Sequence, residues 1–288
     1  MKKLSKHNGF TLIEVMISLT LGLIISGAIV QVMISNGVTD RLNRAMASAQ
    51  ESGRFVISRL RTDMLVAGRY DSLSPLLNTS VDIVAEASFV QNHPIPLPGD
   101  FVNDASVGAI QGLAGGNDTL VVNFQGDRDC RGYKLGYDAD EEFFVVNQYF
   151  VDGNQLKCRG FDGRVLRGLR AAVGNDSDKA YTILDDIYSF QVQYGITNTI
   201  ASGDSSARPV QYITADAIAA AIAAGSQVVS LRIGILVKGD ADVVVEPVPS
   251  FKVLNEVAIQ PTEKRYFKQF NTTIALRNVK NFMRNIKR

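Results

Sequence analysis

Glu14 stands where an acid is costly. From Phe10 to Ser35 it is the sole ionisable side chain, and Lys2, Lys3 and Lys6 crowd the residues just before. At the centre of a membrane helix an acid costs about 2.5–3.5 kcal/mol on insertion scales, and less near an end. An opposite charge about 4 Å away returns about 4 kcal/mol at an effective dielectric of about 20. The chemistry open to Glu14 is therefore ion pairing within lipid, with a cation that no side chain of this stretch supplies. Cleavage after Gly9 would create one, a new α-amino group on Phe10. That amine, on a neighbouring copy or a partner helix, would pair with Glu14; the chain's own Phe10 amine, about one turn away, is the internal alternative. An acid tolerable among packed helices and awkward alone reads as an assembly device.

Other reactive groups are sparse. His7 and His93 are the only histidines, which leaves no histidine pair for a zinc site or proton relay. No serine elbow, phosphate loop or dinucleotide fingerprint appears, and the glycines of "GLAGGND" lead into a strand instead of opening a helix. An enzyme is not expected, nor a cofactor. The run "GYDADEEFF" gathers Asp138, Asp140, Glu141 and Glu142, hard oxygen ligands of the kind calcium takes. It lacks the glycine and terminal glutamate of an EF-hand loop, so a solvated hairpin tip is the expectation and a calcium site the alternative. The tail carries Arg277, Lys280, Arg284, Lys287 and Arg288; the formal net charge of +1 gives no global pull toward nucleic acid, so a solvated basic terminus is expected.

The elements that must position Glu14 follow from the pattern around it. The run from about residue 10 to 35 is long enough to span a bilayer core, which takes roughly 20 apolar residues. The lysines before it favour a cytoplasmic N-terminus and export of the rest, although Arg41, Arg44, Arg54, Arg59 and Arg61 lie beyond the span. A secretory signal would have a shorter apolar region with its cut after it; here the cut at Gly9 comes before. An unprocessed signal anchor is the plain alternative. Ser18, Gly22 and Ser26 recur every four residues, a spacing that lets membrane helices approach closely.

Past Ser35, Val38, Leu42, Ala45, Ala49, Val56, Leu60, Met64 and Ala67 recur at helical spacing against a charged face. The spacing predicts one amphipathic helix continuing the membrane segment, weakened at Gly37 and Gly53 by about 1 kcal/mol each and stopped at Gly68. Its apolar stripe is expected to cover the chain's own head. From Tyr70 to Phe101 the chain reads as loop-rich, with "HPIPLPGD" extended. Strands are expected in "DTLVVNF", "EFFVVNQYFV", "DDIYSFQVQYGI", "QVVSLRIGILV" and "DADVVVEPV", two of them with one buried face, and a short helix capped by Thr214 ends at Gly225. The fold class is α+β: leader 1–9, helix 10–69, β-rich head 70–288. In an exported head the lone pair Cys130 and Cys158 reads as a disulfide, with two buried thiols as the alternative.

"GFTLIEVMISL" resembles the type IV pilin leader, with Gly9, Phe10, Thr11, Leu12 and Glu14 in place. "QESGRFVISRLRTDMLVAGRYD" (Gln50–Asp71) and "FKQFNTTIALRN" (Phe267–Asn278) resemble segments of PilW-type minor pilins, as does the cysteine pair. The resemblance implies cleavage after Gly9 by a prepilin peptidase, N-methylation of Phe10, and pairing of Glu14 with a neighbouring subunit's amine. It implies a single-pass inner-membrane protein with a periplasmic head that later joins the pilus and helps prime assembly in a minor-pilin tip complex. Its implied partners are other minor pilins, the major pilin, an inner-membrane assembly platform and a tip adhesin. The retained Glu14 argues against a terminal cap, since some tip-most subunits lack that acid. The J-type pseudopilin of type II secretion shares the leader and is the alternative.

Overall fold

The computed structural model describes residues 9–113, 115–176, 179–199, 202, 206–254 and 257–279. Helix α1 runs unbroken over Leu12–Leu65. Its first part stands clear of the head, with the apolar residues from Phe10 to Val38 exposed. The predicted stripe becomes the contact farther on, where Ala45, Ala49, Gly53, Val56, Leu60 and Met64 are buried. Gly37 and Gly53 do not interrupt the rod. At Gly37 nothing lies near enough to matter, whereas Gly53 sits under the Phe270 ring, and a Cβ there would come closer than 3.0 Å to three ring atoms. The glycine expected as a weak point is a point of close approach. The helix ends as expected near Gly68, whose φ of 73° suits glycine and whose N–H donates to Asn123 O at 2.8 Å.

The head holds two four-stranded antiparallel sheets. The first has the order β1(Leu120–Gly126), β2(Phe143–Asp152), β3(Gln155–Asp162), β4(Tyr181–Leu184). The second has the order β6(Gln211–Ile213), β5(Ile187–Ile196), β7(Val228–Lys238), β8(Phe267–Ala275). One core joins α1 to both, running from Val56, Leu60 and Met64 through Leu120, Val122 and Tyr149 to Phe190, Val192, Leu231, Ile233 and Ile274. Three short helices complete the described part of the head, α2(Ile83–Asn92) before β1, α3(Gly163–Leu166) after β3 and α4(Ile218–Ala223) before β7.

Four expectations need correction. The stretch from Tyr70 to Phe101 contains a helix, α2(Ile83–Asn92), because Asp82 caps it by accepting the N–H groups of Val84 and Ala85; "HPIPLPGD" is irregular and ends in a turn, with Asp100 N–H donating to Leu97 O. "DADVVVEPV" forms no strand, since Pro247 and Pro249 remove ladder donors and Val244 faces solvent at 70% exposure. Strands β5 and β7 are buried on both faces. Leu236 of β7 packs under Val253 and Phe267, and the edge of β5 is closed by a loop whose Asn117 and Asp118 carboxamide and carboxylate take the N–H groups of Phe190 and Val192. Thr214 gives no side-chain cap; its hydroxyl donates to Asp216, and a 3-10 turn precedes α4, which stops before Gly225 as expected.

Candidate assembly site

At the free end of α1, Thr11 is the N-cap. Its hydroxyl accepts the Glu14 N–H, while Glu14 Oε2 accepts from both the Thr11 N–H and hydroxyl, each at 3.4 Å. This is a capping box, which satisfies helix-start donors that would otherwise be orphaned. The sequence reading missed the role of Thr11, although the Thr-x-x-Glu spacing signals it. All three contacts are at the long limit of hydrogen bonding, so they hold the carboxylate loosely. Gly9 and Phe10 precede the cap, with Phe10 87% exposed. Ser18, Gly22 and Ser26 lie exposed along the same rod. The helix contains an 18-residue window of mean hydropathy 2.2, none of it buried in the chain; by length and composition it can cross a membrane. Lys2, Lys3, Lys6 and His7 lie outside the described residues.

The far end of α1 is fixed by polar contacts that the sequence did not advertise. Asp63 Oδ2 accepts from the Tyr149 hydroxyl at 2.9 Å and from Arg59 Nε at 3.0 Å. Arg59 Nη2 also donates to Cys130 O at 3.2 Å. Burial raises the Asp63 carboxyl above its ordinary range, against the pull of Arg59, and burial with the facing carboxylate raises the Tyr149 phenol. Cys130 and Cys158 form a disulfide, and Cys158 lies opposite Tyr149 in the β2–β3 register. The disulfide loop, the first sheet and α1 thus meet at one place.

The two segments singled out from the sequence, Gln50–Asp71 and Phe267–Asn278, pack against each other. Phe270 covers Gly53, Lys268 Nζ donates to Gln50 Oε1 at 3.4 Å, and Asn278 Nδ2 donates to Leu65 O at 2.8 Å.

The acidic run does not assemble. Asp138 and Asp140 are exposed. Glu141 accepts from Asn78 and from the Asp138 N–H, which hold its carboxyl below the usual range, the backbone contribution leading. Glu142 pairs with Arg69 at 2.7 Å and accepts from Ser74 and Gln125. Among the described residues no three acidic, histidine or cysteine side chains converge as metal ligands would. The run lies in the long loop of the β1–β2 hairpin, with Asp138 and Asp140 solvated, while its last two acids tie that loop to residues 69–78. A second buried cluster has a structural part. Arg164 makes a two-pronged pair with Glu86, Nε–Oε2 at 2.7 Å and Nη2–Oε1 at 2.8 Å, both side chains fully buried. The Tyr70 hydroxyl also donates to Glu86, so α3, α2 and the end of the helical region are locked together. His93 is stacked on Phe89 with Nδ1 at 3.1 Å from Phe89 O. Of the basic tail, Arg277 is described; Lys280, Arg284, Lys287 and Arg288 lie outside the described residues.

Comparison with known proteins agrees at both ends of the chain. Residues 4–30 match the model of the prokaryotic N-terminal methylation motif. Residues 143–278, just under half of the chain, match that of the type IV pilus-assembly protein W; Gln50–Asp71 lies outside that match, though it packs on the matched strand. No curated protein matches. Among solved structures, a type IV-like pilin from Thermus thermophilus aligns with a TM-score of 0.34 and 13% identity over 59% of this chain and 82% of that one. With the methylation motif on a free apolar helix, and a PilW match over the sheets that hold that helix's other end, the chain is similar to type IV pilins in both its helix and its head.

Proposed function

We propose that this chain is a minor pilin of a type IV pilus that enters the filament through its N-terminal helix and helps prime assembly as part of a minor-pilin tip complex. In this reading residues 1–9 are the leader, removed by a prepilin peptidase after Gly9, and Phe10 carries the new methylated amine. The protein waits in the inner membrane with its head in the periplasm, engages the assembly platform, and joins other minor pilins and the major pilin at the cell surface. Its role is structural.

One observation carries the reading. Glu14 sits at the uncovered end of an unbroken helix, held by contacts of only 3.4 Å. Exchanging those for a cationic terminus on a neighbouring subunit costs little and adds a charge-assisted bond, roughly twice as strong as a neutral one. Meanwhile the distal half of α1 is fixed to the head, so whatever captures the helix carries the head with it.

Two variants test this. Gly9→Ala should leave only full-length protein in membranes, by N-terminal mass analysis. Glu14→Ala should be processed normally yet yield far fewer filaments bearing the protein after shearing. Normal incorporation of a processed Glu14→Ala chain would defeat the proposed pairing. Loss of enzyme secretion with filaments intact, on deleting the gene, would move the protein to a type II secretion system.

A further inference from the structure

The connection from β7 to β8 leaves the head at the end where α1 enters it. Lys238 and Phe267 form the last rung of that strand pair, and the Gly239 N–H donates to Tyr266 O at 2.8 Å. Gly239 lies against Ala45, whose carbonyl oxygen is 2.5 Å from where a Cβ on that glycine would stand. The Asp240 N–H donates to Ser48 Oγ at 2.9 Å. Ala45 is the first residue of α1 that the head buries, whereas the opposite end of the head is tied to Leu65 by Asn278. The run "DADVVVEPV", which forms no strand, therefore starts from the base of the head, on the side of the free helix. There Val244 is 70% exposed. The charges on either side of it are matched, Asp242 with Arg265 at 2.8 Å and Glu246 with Lys264, and the Val245 N–H is taken by Lys264 O at 3.0 Å. An apolar side chain between neutralised pairs can approach a headgroup layer without bringing net charge.

The helix sets the height of this base above a bilayer. At about 1.5 Å per residue, Glu14 to Ser35 spans about 31 Å, the thickness of a hydrocarbon core, about 30 Å. With that stretch in the core, Arg41 stands about 9 Å and Ala45 about 15 Å beyond its edge. The headgroup layer fills about 5–8 Å of that distance, which leaves about 7–10 Å below Ala45. Val244 follows Gly239 by five residues, and extended chain covers about 3.3 Å with each, so the loop is long enough to close the gap. Arg41 is exposed and has no acidic partner among the described residues, unlike Arg44, which pairs with Asp40 at 2.8 Å. Helical side chains lean toward the N-terminus, which for Arg41 is toward lipid phosphates.

We propose that the base of the head rests on the bilayer that α1 crosses, with Val244 in the headgroup layer and the Arg41 guanidinium on a lipid phosphate. This contact holds the head at one height above the membrane and breaks when the helix leaves it. It rests on the reading of α1 as a membrane span, and the test separates the two.

The chain has no tryptophan, so a single introduced one is a unique reporter. Full-length Val244→Trp, Leu23→Trp and Leu73→Trp proteins are reconstituted in phosphatidylcholine–phosphatidylglycerol vesicles, with and without lipids brominated near the top of the acyl chains. Leu23 lies on the free part of α1 and reports insertion. Leu73, 89% exposed and beyond the far end of α1, carries the same preference of the new side chain for interfaces and reports it alone. Leu23→Trp and Val244→Trp should each lose at least about half of their emission to the quencher, as groups about 5–10 Å into the headgroup boundary do, and Leu73→Trp should keep its own. Arg41→Glu added to Val244→Trp should restore most of the lost emission, because it sets repulsion where phosphate was attracted; an unchanged signal would remove Arg41 from the contact. Quenching at 23 but not at 244, or equal quenching at 244 and 73, would overturn the proposal and leave the span standing. No quenching at 23 would overturn both.

Discussion

Gly53→Ala separates helix propensity from packing. Within an isolated helix the change should stabilise by about 1 kcal/mol. Here the added methyl would meet three atoms of the Phe270 ring closer than 3.0 Å, and overpacking of that kind costs about 1–3 kcal/mol. The packing cost wins, leaving a net loss of up to about 2 kcal/mol and a fall in Tm of about 2–4 °C for each kcal/mol. Phe270→Leu in the same chain should relieve the clash, so the double variant should be more stable than the two single losses added, by about 0.5–3 kcal/mol. The chain has no tryptophan, so near-ultraviolet circular dichroism of tyrosine in detergent-solubilised full-length protein is the readout. A Gly53→Ala protein that melts higher than the parent, with no coupling to position 270, would refute the close approach and with it the account of how α1 is held.

Three further outcomes are expected. Arg164→Met should cost about 3–5 kcal/mol because it strands Glu86 in the core, and Arg164→Met with Glu86→Leu should recover most of that; urea unfolding of both variants checks it. Because burial raises the Asp63 carboxyl above 3.8, the folded state binds that proton more readily than the unfolded one. Stability should therefore fall as pH rises from 3.8 to the folded value and stay level above it; Asp63→Asn should flatten that part of the profile, and an unchanged slope would exclude Asp63 as its source. Replacing Cys130 and Cys158, 28 residues apart, with serine should remove roughly 3–4 kcal/mol on the chain-entropy model, and reductant should lower the melting point of the parent but not of the variant.

What could be read from the sequence was whatever repeats. The stripe from Ala45 to Met64 has the period of a helix lying on a surface, and the structure buries those residues. The runs that became β1, β2, β5 and β7 are rich in β-branched and aromatic side chains, and their existence was legible for that reason. Their environment was not. The alternation in "YSFQVQY" promised one wet face, yet Ser189, Gln191 and Gln193 are buried as well, because chain from elsewhere lies over it, with Gly116 O accepting from Gln191 Nε2. Helix α2 was missed because a single aspartate announces it over ten residues of mixed composition. The valines at 243–245 misled because β propensity counts for little where prolines follow.

The same division runs through the candidate site. Glu14 was conspicuous because it breaks a local rule, a charge within an apolar run, and a local rule can be checked in one dimension. Gly53 also broke a local rule, and there the inference failed: a helical glycine looks like weakness until the residue above it, Phe270, is brought from more than two hundred positions away. Asp63, Tyr149 and Arg59 broke none, each being ordinary for its helix or strand, and only the docking of α1 on the first sheet turns them into a joint. A conflict visible in the sequence thus points to something outside the chain segment that resolves it. For Gly53 the resolving group is in the same molecule. For Glu14 the groups that meet its carboxylate among the described residues are those of Thr11, at 3.4 Å, too long to offset its place in an apolar run, and that is the physical reason to look for its counter-charge on another subunit.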